Sequence, residues 1–149
     1  MNVVVCVRQG LDGEISPFDA SAYEAALRLK DAEVTLLSMG PLSAKDFLLR
    51  LTRLGAKRAI LLSDKAFAGA DTLATAYTLS LAIEKLNPDL IFCGRQTLIG
   101  DAGQTGPMLA VLAKGNLLKR SLTIPYININ TQTAIRFAVW VFLCKTSIL

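Results

Sequence analysis

Four times in the first 113 residues, a short apolar run gives way to a longer segment with helical spacing, and this alternation limits the chain to few folds. Residues 3–7 (VVVCV) form a continuous β-branched run of the kind buried on both faces of a sheet. Ser16 and Pro17 precede a predicted helix reaching Lys30: Phe18, Ala22, Ala25, Ala26 and Leu29 repeat at helical spacing, with Glu24, Arg28 and Lys30 on the wetter side. Residues 34–39 give a second strand, stopped by Gly40 and Pro41. Ser43 followed by Asp46 reads as a capping box, and Phe47, Leu48, Leu51 and Leu54 carry a helix to Gly55. Residues 59–62 form a third strand, and Asp71 stands as the N-cap of a long helix reaching Leu86, closed by Asn87 and Pro88. Residues 90–93 are the fourth strand and residues 108–113 the fourth helix. Alternation with such short connections requires right-handed crossovers and a parallel sheet covered by helices.

Ligands on sheets of this kind bind outside the carboxyl ends of the strands, where the strand order reverses. The candidate site is therefore built from residues 6–8, 37–40, 63–71 and 94–105. The last of these belongs to LIFCGRQTLIGDAGQTGPM (residues 90–108), in which Gly94, Gly100, Gly103 and Gly106 punctuate the passage from strand to helix. The first N–H groups of a helix lack internal partners and carry partial positive charge, and glycines let an anion approach them closely. Glycines alone could equally shape a surface turn. Gln96, Thr97, Asp101, Gln104 and Thr105 add a dense set of hydrogen-bonding side chains that favours phosphate binding. Arg95 is either a phosphate contact or a solvated loop residue. Asp71 is most simply a helix cap, and Asp101 suits a ribose, loop-bracing or partner-contact role better than a phosphate.

Composition closes off several function classes. The chain has no histidine, which removes histidine-based triads, histidine zinc ligands and a histidine acid or base. Cys6, Cys93 and Cys144 each lie in or beside an apolar run without C-x-x-C spacing, so buried reduced thiols are expected. No spacing joins two carboxylates to a nucleophile, and catalytic residues are not expected. The net charge of +4 is unevenly spread: up to Val111 there are 11 basic and 12 acidic residues, whereas residues 112–149 hold five basic residues and no acidic one. A continuous basic face for nucleic acid does not account for that distribution. The start MNVVVCVRQG enters a strand without a charged leader, and the longest apolar run near the C-terminus, residues 137–144, is too short to span a bilayer. A soluble, cytoplasmic protein without membrane insertion is expected.

Several segments together resemble the β subunit of electron-transfer flavoproteins. They are VCVRQ (residues 5–9), SPFDASAYEAALRLK (16–30), LSMGP (37–41), GAKRAILLSDKAFAGADTLATAYTL (55–79) and CGRQTLIGDAGQTGPMLA (93–110), in the family's order and covering about the first 112 residues. The resemblance implies a doubly wound, Rossmann-like α/β fold that binds an adenine nucleotide and pairs with an α subunit. It further implies a redox FAD held largely by that subunit, and AMP, or a second FAD in electron-bifurcating relatives, in the β pocket. By the same resemblance Cys6, Ser16, Pro17, Phe18 and Asp19 line the adenine and ribose, and Met39 is another pocket residue. Arg95 and Gln96 begin the nucleotide loop, Thr97, Leu98, Asp101 and Gly106 belong to the part that wraps the nucleotide, and Gly103, Gln104 and Thr105 lie nearest the phosphate; backbone donors at Gly103 to Gly106 suit phosphate oxygens. Flavin dehydrogenases are the implied electron donors. The chain departs from many relatives at Ile99, where they carry an acidic residue, and in its short 11–16 loop.

Residues 1–112 are expected to form the nucleotide-binding core, and 113–149 a divergent segment that supplies the remaining strands of the same domain or is a disrupted tail. Residues 121–129 and 134–143 could be strands, separated by a polar interval. INTQTAIR (129–136) faintly resembles the family's next strand region, but FAVWVFLCKTSIL (137–149) does not, which suits a truncated or frame-disrupted product. Three functions compete. One is an electron-carrier subunit without catalysis of its own, and another is a stand-alone adenine-nucleotide-binding regulatory module. The third, ATP cleavage, lacks both a G-x-x-x-x-G-K-[ST] loop and a histidine base.

Overall fold

The computed structural model describes residues 1–94, 104–113, 118–128 and 133–143. Its first four strands are β1 (Asn2–Cys6), β2 (Glu33–Met39), β3 (Arg58–Leu62) and β4 (Leu90–Gly94), and they alternate with α1 (Pro17–Leu27), α2 (Lys45–Thr52), α3 (Thr72–Leu86) and α4 (Thr105–Leu112). Two longer strands follow, β5 (Leu118–Asn128) and β6 (Thr133–Leu143). The sheet order is β3-β2-β1-β4-β6-β5. β1 pairs in parallel with both β2 and β4, and β2 with β3, as the fourfold alternation requires. The far edge is antiparallel: β6 runs against β4, and β5 against β6. The fold is thus α/β with a four-stranded parallel sheet, extended by an antiparallel pair.

Successive residues of a strand point to opposite faces, so the valine-rich β1 supplies two cores. Val3, Val5 and Val7 pack with Ala22, Tyr23 and Ala26 of α1 and with Phe47, Leu48 and Leu51 of α2. Val4 turns to the other face and joins Leu37, Ile91 and Cys93 beneath Leu79 and Ile83 of α3 and Leu109 of α4. The helices fall two to each face, the arrangement called doubly wound.

Several element boundaries depart from the sequence reading for local reasons. α1 stops at Leu27 rather than Lys30, because the Leu29 N–H tightens to an i→i−3 bond with the Ala26 carbonyl and the chain leaves through Asp31 at φ 56°. Ser43 does not form a capping box: it lies inside a 3-10 turn, Leu42–Ala44, that runs directly into α2, whose N-cap Ala44 is already helical and makes no side-chain bond. α2 ends at Thr52, which leaves Leu54 66% exposed instead of in the core. α4 begins at Thr105, three residues earlier than apolar spacing indicates, since Gly106 and Pro107 fit a first helical turn. Asp71 caps α3 as expected, accepting the Ala74 N–H at 2.7 Å, while Asn87 ends that helix in the left-handed conformation at φ 44°.

Candidate functional site

Strand order reverses between β1 and β4: from β1 the chain winds outward to β2 and β3, then returns to place β4 on the other side. Carboxyl ends of adjacent parallel strands diverge at such a point and leave a cleft between the loops that follow them. Here the flanks are Cys6 to Arg8 after β1 and Gly94 at the end of β4.

The N-terminus of α1 lies against the loop after β1 and the end of β4. Ser16 is its N-cap, with an extended backbone at φ −64°, ψ 146°, and its Oγ accepts the Asp19 N–H at 3.2 Å. Pro17 occupies the first helical position, and its carbonyl accepts the Ser21 hydroxyl at 2.9 Å. Phe18 is half-buried beside it. The Asp19 carboxylate turns inward and its Oδ2 accepts the Arg8 N–H at 3.1 Å, with the Gly94 amide also bonding to this carboxyl. One side chain thereby ties the starts of both diverging loops to α1. Burial pushes the Asp19 pKa from 3.8 up to about 7, opposed by the Arg8 amide, the Ser16 hydroxyl, the Gly94 amide and the Arg8 charge.

Gly94 is what lets α1 come so close. A Cβ there would lie 2.3 Å from Asp19 Oδ1 and 2.9 Å from both Asp19 N and Phe18 C. In the sequence Gly94 marks only the end of a strand, and the approach of α1 that requires it is a tertiary feature.

Cys6 and Met39, at the carboxyl ends of β1 and β2, are half-buried and pack against the core beneath α3 and α4. Cys93, the register partner of Cys6, is buried, and its thiol pKa is pushed well above the usual range by hydrogen bonding to Cys6, by burial, and by the negative charges of Cys6 and Asp19. This pairing of thiols follows from strand order and could not be read from the linear spacing. Leu109 lies in the same cluster as Cys93, which ties α4 to β4. At the start of α4, Gln104 is exposed, Thr105 half-buried and Gly106 buried, and Gln104 makes no side-chain cap to the helix. Of the sequence-derived site residues, Cys6, Ser16, Pro17, Phe18, Asp19 and Met39 gather on the strand ends and α1, and Gln104, Thr105 and Gly106 open α4. Arg95, Gln96, Thr97, Leu98, Asp101 and Gly103 lie outside the described residues.

The β1–α1 loop is braced by its own backbone. Gly10 N–H bonds to the Glu14 carbonyl at 2.7 Å, Gln9 bridges to Ile15, and Arg50 of α2 donates to the Gly13 carbonyl at 3.2 Å. Sequence reading shows this loop to be short but gives no sign of the Arg50 brace.

A family model described as "Electron transfer flavoprotein domain" matches residues 3–120. The chain belongs to that family. It is 49% identical over 112 residues to Protein FixA of Azorhizobium caulinodans, a match covering 70% of this chain and 40% of that protein. Similarity to proteins named electron transfer flavoprotein subunit beta is of the same order: 43% identity over 132 residues for Clostridium acetobutylicum, covering 74% of this chain and 51% of the relative. For Thermoanaerobacterium thermosaccharolyticum the figures are 48% over 107 residues, 70% and 41%. The chain therefore matches about half or less of the length of these relatives. Among the described residues no helix is long and apolar enough to cross a membrane.

Proposed function

We propose that this chain is a β-like part of an electron-transfer flavoprotein that holds an adenine nucleotide, AMP in the first instance, in the cleft between β1 and β4. The observation that carries the reading is the strand reversal at β1/β4, near which lie half-buried Cys6 and Met39 at strand ends, the N-terminus of α1 capped by Ser16, and the start of α4, where the Gln104 side chain makes no cap. The donor chemistry fits a nucleotide. Cys6 and Met39 offer polarizable, partly apolar surface to a base, and the first N–H groups of α4, with the Thr105 hydroxyl, suit phosphate oxygens. Asp19 serves this site indirectly, since its carboxyl is committed to the Arg8 and Gly94 amides and positions the two loops.

AMP carries no redox centre, so its contribution would be to fill and stiffen the cleft. FAD in the same place would add a flavin. Electron transfer from flavin dehydrogenases would depend on an α subunit that holds the redox flavin, with no substrate chemistry by this chain.

Thermal unfolding with AMP, ADP and FAD tests the site. A ligand selective for the folded state stabilises by roughly 2.7 kcal/mol at a hundredfold excess over its Kd, which raises the midpoint of a domain this size by several degrees. No shift with any of the three at millimolar concentration would remove the nucleotide assignment. Co-expression with an α subunit of the family separates the electron carrier, a yellow heterodimer, from a nucleotide-binding regulatory module, which would purify colourless and alone.

A further inference from the structure

Cys6 and Cys93 are register partners on the adjacent parallel strands β1 and β4, and both side chains turn to the face covered by α3 and α4. Neighbouring strands lie about 4.8 Å apart, inside the 4.4–6.8 Å range of Cα separations that a disulfide spans. The two thiols differ in access. Cys6, at the carboxyl end of β1, is half-buried, whereas Cys93 is only 5% exposed. In thiol–disulfide exchange that difference divides the roles, with the reachable thiol attacking and the buried one resolving.

We propose that Cys6 and Cys93 form a dithiol site that exchanges with low-molecular-weight disulfides and closes to an intramolecular disulfide across the β1/β4 reversal. The Cys6 thiolate attacks one sulfur of the external disulfide R–S–S–R; a protein–S–S–R bond forms, the external S–S bond breaks, and RS⁻ leaves. Deprotonated Cys93 then attacks Cys6 Sγ, the mixed disulfide breaks, and the second RS⁻ leaves. Two protein thiols are oxidised to one disulfide, the external disulfide is reduced to two thiols, and the protons given up by Cys6 and Cys93 end on the two leaving groups. The second step is the slow one at neutral pH, since the Cys93 thiol resists ionisation. The site rests on strand register and does not depend on the nucleotide reading.

Trypsin places each cysteine on its own peptide, residues 1–8, 86–95 and 137–145, so the pairing can be read by mass spectrometry. The folded chain is incubated with oxidised glutathione at pH 8.5, alkylated and digested without reduction. The expected product is peptide 1–8 linked to 86–95, lost on reduction, while the same treatment in urea gives all three pairings. The Cys6→Ser variant should leave Cys93 free of glutathione in the folded state, because the buried Cys93 thiol cannot start the exchange itself. Cys6 stopping as the glutathione adduct with Cys93 still free, Cys6 linked to Cys144 instead, or no reaction of the folded chain would each overturn the proposal.

Discussion

Asp19 shows what the switch point asks of a single residue. Its carboxyl is 6% exposed and bonded to backbone amides of two different loops, and burial is the largest influence on its proton affinity. With a pKa raised from 3.8 to about 7, the native state holds this proton more tightly than the unfolded chain does. Its stabilising contribution is complete below pH 3.8, falls as pH rises through the interval to about 7, and is lost above it. At about 1.4 kcal/mol per unit, the span is on the order of 4 kcal/mol. Asp19→Asn keeps the shape without titrating, so urea-unfolding midpoints of variant and wild type should diverge in the variant's favour between pH 4 and 7. A constant gap across that range would show that Asp19 ionises normally. Gly94 makes the complementary demand. Gly94→Ala sets a methyl 2.9 Å from backbone atoms of Phe18 and Asp19, which cannot rotate away as a side-chain end could. A loss of roughly 1–3 kcal/mol is expected in thermal or urea unfolding, and an unchanged midpoint would mean that α1 is not seated as described. The sequence makes Gly94 legible as a strand end, and for Asp19 it offers only a position implied by family resemblance; their contact belongs to tertiary packing.

Elements whose ends are set by their own residues were the most legible. Asp71 satisfies an N–H three residues ahead in α3, a local bond that residue type and position foretell, and Asp71→Ala should cost about 1 kcal/mol by denaturant titration. The start of α2 was misread because Ser43 and Asp46 have the capping-box spacing while the chain enters the helix from a 3-10 turn begun at Pro41; spacing alone does not report the incoming backbone angle. Tyr23 is a connection between elements that no local pattern reveals. From α1 its buried hydroxyl donates to the Leu51 carbonyl near the end of α2 at 2.8 Å and accepts the Ala56 N–H before β3 at 3.0 Å. Tyr23→Phe keeps the ring and strands the Ala56 N–H, while the Leu51 carbonyl keeps the Leu54 N–H at 2.9 Å, for a predicted loss of roughly 1–3 kcal/mol. A urea-unfolding midpoint equal to wild type would show that water or a local shift satisfies the Ala56 N–H instead.

At the scale of the molecule, the parallel half of the sheet was legible because each strand–helix unit carries its own period, whereas the seating of β6 against β4 joins segments distant in sequence and leaves no mark in the pattern of either strand. Their place at the sheet edge also determines what β4 must tolerate. All of Leu90 to Cys93 are buried, and β6 pairs with β4 along its full length, from Leu90 opposite Leu143 to Gly94 opposite Val139. A chain ended after Ala113 would leave β4 as an edge, with a row of unpaired N–H and C=O groups flanked by apolar side chains. Such an edge offers a template for another copy of the same strand. The shortened chain is therefore expected to self-associate, seen by light scattering as species larger than those of the full chain at equal concentration, and to unfold at lower denaturant. A Lys introduced at Phe92 would be no fair remedy because that side chain is only 4% exposed in the core; adding the 114–149 segment back as a separate peptide is the proper rescue. If the shortened chain stays monomeric with an unchanged unfolding midpoint, the antiparallel pair contributes nothing to the sheet, and the four parallel strands with their helices are self-sufficient.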